Sequence, residues 1–164
     1  MIPKMIETLI KDLVFIIADG NPYQRRLIRS LLIGAKAIRE IADGIEALNA
    51  IRTLLPDVVL LDWDLPVLDA AHVLKLVRSP DAFPCASVPI IVLSSYPDHR
   101  SVRRALQLGA HEFMAKPLSP KALFDRVATI VTQPRPMVMI GDHYVPRPRF
   151  DPSMRESQPV TTPR

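Results

Sequence analysis

The sequence is short of the residues that mark several common protein classes. A single cysteine, Cys85, rules out an intrachain disulfide and suits a reducing compartment. Aromatic residues make up 5% of the chain, too few for a platform that stacks nucleic-acid bases. The formal net charge is +4, yet the basic residues are scattered and no run of them forms a stripe along a phosphate backbone, so no nucleic-acid partner is expected. No apolar segment approaches the roughly 18–20 residues that span a bilayer, and no membrane partner is expected either. The first residues, MIPKMIETLIKDL, carry Glu7 and Asp12 among their apolar positions and do not read as a signal peptide. These absences leave a cytoplasmic location as the expectation. No internal repeat is visible.

What is present is a chain of 164 residues, 48% apolar, long enough for one domain of ordinary size with some excess. Short apolar runs at 13–18 (LVFIIA), 37–42 (AIREIA), 57–62 (DVVLLD), 88–94 (VPIIVLS) and 111–115 (HEFMA) read as strands. Two of them are aliphatic throughout, as central parallel strands covered on both faces require. Helical patterns separate them. Asn21-Pro22 supplies a cap and a proline at the first helical position. A stripe of Tyr23, Leu27, Leu31 and Leu32 follows, and Gly34 can end that helix. Ser119-Pro120 repeats the start signal ahead of Leu123, Phe124, Val127 and Ile130. Further helices fit Ile45 to Leu55, Ala70 to Arg78 and His99 to Leu108. Strict alternation over five units implies an α/β doubly wound parallel sheet.

Three segments are expected: an N-terminal helical extension over 1–12, the α/β domain over 13–132, and a tail over 133–164. The tail holds seven of the 17 prolines and shows neither helical nor strand period, so it reads as a flexible segment.

In an open parallel sheet, ligands bind beyond the carboxyl ends of the strands. Asp19 follows the first strand, Asp62 ends the third, Ser94 ends the fourth and Lys116 follows the fifth. A carboxylate nucleophile, a second acid for a cation, a hydroxyl and an ammonium together suit acceptance of a phosphoryl group. The stretch DVVLLDWDLP makes sense on this view: a buried strand delivers Asp62 to the surface and Pro66 forces a turn.

At these residues the chain resembles bacterial response-regulator receiver domains of the stand-alone, chemotaxis type. The carriers are IIADGNPYQRRLIRSLL, EIADGIEAL, PDVVLLDWDLPVLDA, VPIIVLSS and LGAHEFMAKPLSPKAL, in order and at matching spacing over 13–132. The resemblance implies a flavodoxin-like fold with strand order 2-1-3-4-5 and helices on both faces. It implies Asp62 as the phosphorylated aspartate, Ser94 and Lys116 as contacts of the phosphoryl group, and Ser94 and Phe113 as the switch residues. Mg²⁺ would be held by Asp19, Asp62 and the backbone carbonyl of Asp64. The donor would be a histidine kinase or a histidine phosphotransfer protein. Output would pass to a downstream protein through the face built by the helix at 99–108, the fifth strand and the helix after Ser119, with homodimerisation left open. On this resemblance the chain is a signalling phospho-acceptor rather than an enzyme.

Two departures stand out. Receivers usually carry two adjacent acids after the first strand, and here the second position is Gly20, which implies weakened Mg²⁺ binding. Leu68-Asp69-Ala70 replaces a loop that usually ends in glycine. A pseudo-receiver, an interaction module without phosphoryl chemistry, is therefore the competing reading. A remoter one is a haloacid-dehalogenase-type phosphatase, with Asp62 as nucleophile and Asp64 as general acid; but that motif belongs on a first strand, not a third. On its own composition Phe113 reads as a core residue. Trp63 reads as a partly exposed lid beside the site, Cys85 as a loop residue, and His72, His99, His111 and His143 as ordinary surface or boundary residues. Arg25, Arg26 and Arg29 form a solvated basic helix face that could meet a kinase.

Overall fold

A computed structural model describes residues 4–81 and 84–149. In chain order the elements are α1 (Lys4–Ile10), β1 (Val14–Ala18), α2 (Pro22–Leu31), β2 (Ala37–Ile41), α3 (Gly44–Leu54), β3 (Val58–Asp62), α4 (Ala70–Val77), β4 (Ile90–Ser94), α5 (His99–Gln107), β5 (Glu112–Ala115), α6 (Pro120–Thr132), β6 (Met137–Ile140) and β7 (His143–Pro146). The first five strands form one parallel sheet of order β2-β1-β3-β4-β5. This is the doubly wound, flavodoxin-like topology. No helix among the described residues is long and apolar enough to cross a membrane.

Side chains alternate across each strand, so the sheet builds two cores. Ile16, Val59, Leu61 and Val92 pack on one face with residues of α3, α4 and α5. Phe15, Ile17, Val58, Leu60, Ile91 and Leu93 pack on the other with residues of α1, α2 and α6. All five residues of β3 and all five of β4 are buried, whereas edge strand β2 alternates. Caps follow the sequence signals: Asn21 accepts the N–H groups of Tyr23 and Gln24, and Ser119 accepts that of Ala122. The buried stripe of α2 is narrower than the sequence pattern suggests. Ile28 and Leu32 are buried, but Tyr23 and Leu27 are exposed.

The segment after Thr132 differs most from expectation. Residues 137–146, read as flexible, form an antiparallel hairpin with Ile140 opposite His143. Its two-residue turn is Gly141-Asp142, with Gly141 at φ +64 supplying the left-handed position. The hairpin lies on the domain: Tyr144 N–H donates to the Arg78 carbonyl, His143 Nε2 lies 2.8 Å from the Gln107 carbonyl, and Val145 is buried. Arg135 donates to the His111 carbonyl at 2.6 Å, and Arg149 pairs with Glu112. The physical reason is that Arg78, His111 and Glu112 offer buried polar partners that a free tail would lack. The part of the expected tail beyond Arg149 lies outside the described residues.

Candidate functional site

Parallel register sets up the site. β1 and β3 pair with Ala18 opposite Leu61, so the next residues, Asp19 and Asp62, emerge side by side. β4 and β5 pair with Ser94 opposite Ala115, which brings Lys116 to the same end of the sheet. Lys116 Nζ lies 2.5 Å from Asp19 Oδ2 and 2.9 Å from Asp62 Oδ1. The lysine side chain is 6% exposed, against 3% and 12% for the two aspartates. One ammonium thus neutralises half of a buried pair of carboxylates. Asp19 is held further by the Asn21 N–H at 2.8 Å, and its carbonyl accepts from Arg25 at 2.7 Å.

The charges tune one another. Burial raises the Asp62 carboxyl above its ordinary value; Lys116 opposes this, and the charges of Asp19 and Asp64 add to the rise. Burial pulls the Lys116 ammonium down, but hydrogen bonds to Asp19 and Asp62, with their charges, prevail and hold it above its usual range.

These groups open into a cleft of about 310 Å³ whose lining includes Asp19, Gly20, Asp62, Asp64, Pro66, Ser95 and Lys116. Of the residues singled out from sequence, Asp19, Asp62, Asp64 and Lys116 come together here. Ser94 is fully buried and its hydroxyl accepts the Tyr96 N–H at 3.1 Å; the serine lining the cleft is Ser95. Phe113 is half-buried and packs against Trp63, ring centroids 6.4 Å apart. Trp63 leans on that core rather than covering the cleft, which corrects its reading as a lid.

Gly20 lines the cleft, but a Cβ there would lie 2.6 Å from Pro66 Cγ and 2.8 Å from Cδ. The turn carrying Pro66 is tightly seated. A Cβ at Gly44 would meet the Leu68 carbonyl oxygen at 1.9 Å, so only glycine allows this approach, and the Gly44 N–H donates to the Pro66 carbonyl. Val67, within that turn, sits at φ +67, a strained position for a β-branched residue.

The carboxylates of Asp19 and Asp62, with Asp64 in the same cleft lining, offer oxygen ligands that fit Mg²⁺, which commonly takes one or two carboxylates and keeps several waters. Among the described residues no cluster of three or more His, Cys, Asp or Glu side chains is arranged for a metal, so a cation here would depend on main chain and water.

A second polar cluster was not legible as such. Arg78 is fully buried at the end of α4 and donates to the carbonyls of Gly109 (2.9 Å) and Ala86 (2.7 Å). Its Nη2 lies 3.2 Å from His111 Nδ1, which also accepts the Ile90 N–H. His111 is therefore a buried acceptor, not a surface or boundary residue. Burial lowers the Arg78 guanidinium to about 9, still charged at neutral pH. Burial, with the charges of Arg78 and Arg135, takes His111 down to about 3.

Known proteins resemble this chain in sequence and in fold. Residues 15–128 match the family described as response regulator receiver domain. The chain is 36% identical over 108 residues to the protein-glutamate methylesterase/protein-glutamine glutaminase 1 of Myxococcus xanthus, covering 64% of this chain and 30% of that protein. It is 31% identical over 153 residues to the DNA-binding response regulator MtrA of Mycolicibacterium smegmatis, covering 90% and 65% respectively. The chain thus spans less than two thirds of either relative. The receiver domain of sensor histidine kinase PA1611 from Pseudomonas aeruginosa, solved with magnesium coordinated in its active site cleft, shares the fold at TM-score 0.66 and 24% identity, over 74% of this chain and 99% of that one. With the strand order, the acid–lysine cluster and this match in agreement, the chain belongs to the response-regulator receiver family.

Proposed function

We propose that the chain takes a phosphoryl group on Asp62 from a histidine kinase or histidine phosphotransfer protein, in the cytoplasm, and signals through protein contacts. The observation that carries this reading is the bridge from Lys116 to Asp62 and Asp19 at the carboxyl ends of the strands. An Asp62 oxygen forms the new P–O bond as the P–N bond to the donor imidazole breaks, and the imidazole nitrogen keeps the electron pair. Lys116 then meets the anionic phosphoryl oxygens with a charge that is already in place. Ser94 supplies a hydroxyl whose proton stays free to donate while its oxygen accepts the Tyr96 N–H, with Ser95 beside it in the cleft wall. Because Phe113 packs on Trp63, the neighbour of Asp62, a change at Asp62 has a packed route to β5.

Asp19, Asp62 and the Asp64 carbonyl are the groups that would hold Mg²⁺. When bound, it neutralises charge on the phosphoryl oxygens. Gly20 withholds a further carboxylate, so this site binds the cation weakly.

Intact-mass analysis after incubation with acetyl phosphate and Mg²⁺ tests the reading. Wild type should gain one phosphoryl group and Asp62→Asn none. Equal labelling of both would place the acceptor elsewhere. Pro66 favours a second reading, because its ring fills the space a side chain at Gly20 would need. On that reading the chain is an interaction module, and wild type stays unlabelled even by its cognate kinase.

A further inference from the structure

The β6–β7 hairpin closes on the end of α5, where His143 Nε2 lies 2.8 Å from the Gln107 carbonyl, and a cleft of about 750 Å³ remains between hairpin and helix. That is more than twice the volume of the cleft at Asp62, and it falls among small-molecule sites, roughly 300–1,000 Å³. The two clefts share no lining residue. Leu106, Ala110, Ile140 and Val145 give this one an apolar wall.

Two polar groups in the lining are incompletely met. The first is His111, 7% exposed. Its Nδ1 accepts the Ile90 N–H and faces a guanidinium nitrogen of Arg78 that can only donate, so the neutral ring carries its proton on Nε2. That N–H meets no acceptor among the described residues, yet none of their buried side-chain nitrogens or oxygens is left unpaired. Nε2 therefore keeps access to open space, and the cleft is the space that His111 lines. The second group is Arg135. It donates to the carbonyls of His111 and Arg147 and forms no ion pair among the described residues. The nearby Glu112 already serves Arg126 and Arg149, so three guanidinium groups share one carboxylate. Burial holds the Arg135 guanidinium below its usual range; Glu112 opposes this and Arg149 adds to it. The charge of Arg135 also acts on the His111 ring, which makes the two donors close neighbours.

An apolar wall that ends in a surplus cation and a neutral N–H donor is complementary to an apolar molecule with a single carboxylate. Such a carboxylate would neutralise a charge partly removed from water and accept a proton that has no partner. An amine would meet like charge instead. We infer that the cleft between α5 and the hairpin binds a small organic acid, its carboxylate held by Arg135 and the His111 Nε2–H and its apolar body between Leu106 and Ile140. The site is separate from Asp62 and does not depend on a phosphoryl group there.

The probe is cinnamate, titrated calorimetrically into the unphosphorylated full chain, with cinnamamide as its uncharged match. Cinnamate should bind at one site per chain, about tenfold or more tightly than the amide. Arg135→Gln should abolish that preference and Arg135→Lys should retain part of it, whereas a merely structural arginine would weaken both ligands alike. Ile140→Asp, at an exposed position, should weaken cinnamate by about tenfold, and it tests the cleft even where Arg135→Gln does not fold. No saturation by about 10 mM cinnamate, or equal binding of acid and amide, overturns the inference. So does unchanged affinity in Ile140→Asp, which would place the ligand elsewhere. Displacement of cinnamate by a synthetic peptide of residues 150–164 overturns it too, by making the chain's own segment the occupant.

Discussion

At the carboxyl ends of the strands one lysine is shared by two carboxylates in an open cleft. At the amino ends of β4 and β5, Arg78 is fully buried and meets no carboxylate, only the carbonyls of Gly109 and Ala86 and the imidazole of His111. Both clusters keep a cation out of bulk water, but they satisfy it differently. The first leaves net negative charge beside a solvent-facing space, which suits a group that must react. The second engages each guanidinium nitrogen with a neutral acceptor and helps to hold α4, β4, β5 and the hairpin together. Buried charge at one end of the sheet serves chemistry, and at the other it serves architecture.

The largest expected effect tests the architectural cluster. Arg78→Met keeps the bulk but leaves two carbonyls without their donors, and should cost about 3–5 kcal/mol in urea unfolding. A loss under about 1 kcal/mol would mean that water replaces the guanidinium, and the contrast between the clusters would fail. Ending the chain after Thr132 should cost somewhat less, about 2–4 kcal/mol, since it uncovers Glu112 and the apolar surface under Val145. An unchanged melting temperature would restore the picture of a loosely attached tail.

Smaller effects are expected at the reactive end. Gly20→Asp should destabilise the chain by about 1–3 kcal/mol, because its Cβ meets the Pro66 ring. Its carboxylate should tighten Mg²⁺ binding, followed by Trp63 fluorescence, by about tenfold or more once Pro66→Ala makes room. Should the double variant bind Mg²⁺ no better than wild type, position 20 does not reach the cation.

Acid titration separates the clusters by sign. The unfolded chain protonates His111 below its ordinary 6.5, whereas the folded chain resists until about 3. Stability should therefore fall on acidification through that window, by at most about 1.4 kcal/mol per pH unit. Asp62 works the other way. Its folded carboxyl is raised above the ordinary 3.8, so just above that pH the folded state keeps a proton that the unfolded state has released. This group's contribution to stability grows as pH falls toward 3.8. His111→Gln should flatten the acid loss and Asp62→Asn should steepen it, both read from melting curves across pH. Parallel curves for the two variants would show that neither group governs the response.

The five strands of the main sheet and the helices between them were legible in the sequence, because each depends on local period and end signals. Asp19, Asp62 and Lys116 were legible too: in a parallel sheet, the residue that ends a strand is delivered to one known end whatever the packing around it. The β6–β7 hairpin is only partly legible. Two four-residue runs flank Gly-Asp, a hairpin signal that the surrounding prolines obscured. Other features were not written locally at all. That His111 is buried between two arginines depends on residues 33 and 24 positions away along the chain. That Ser95 and not Ser94 lines the cleft depends on how the turn after β4 rotates, and that Pro66 lies against Gly20 depends on a contact between two loops. Hydrophobic period and register are properties of short segments, and they set which residues reach the end of the sheet. Which side chains share a cleft and which buried polar groups find partners follows instead from the packed fold, because those outcomes arise from contacts between segments distant in the chain.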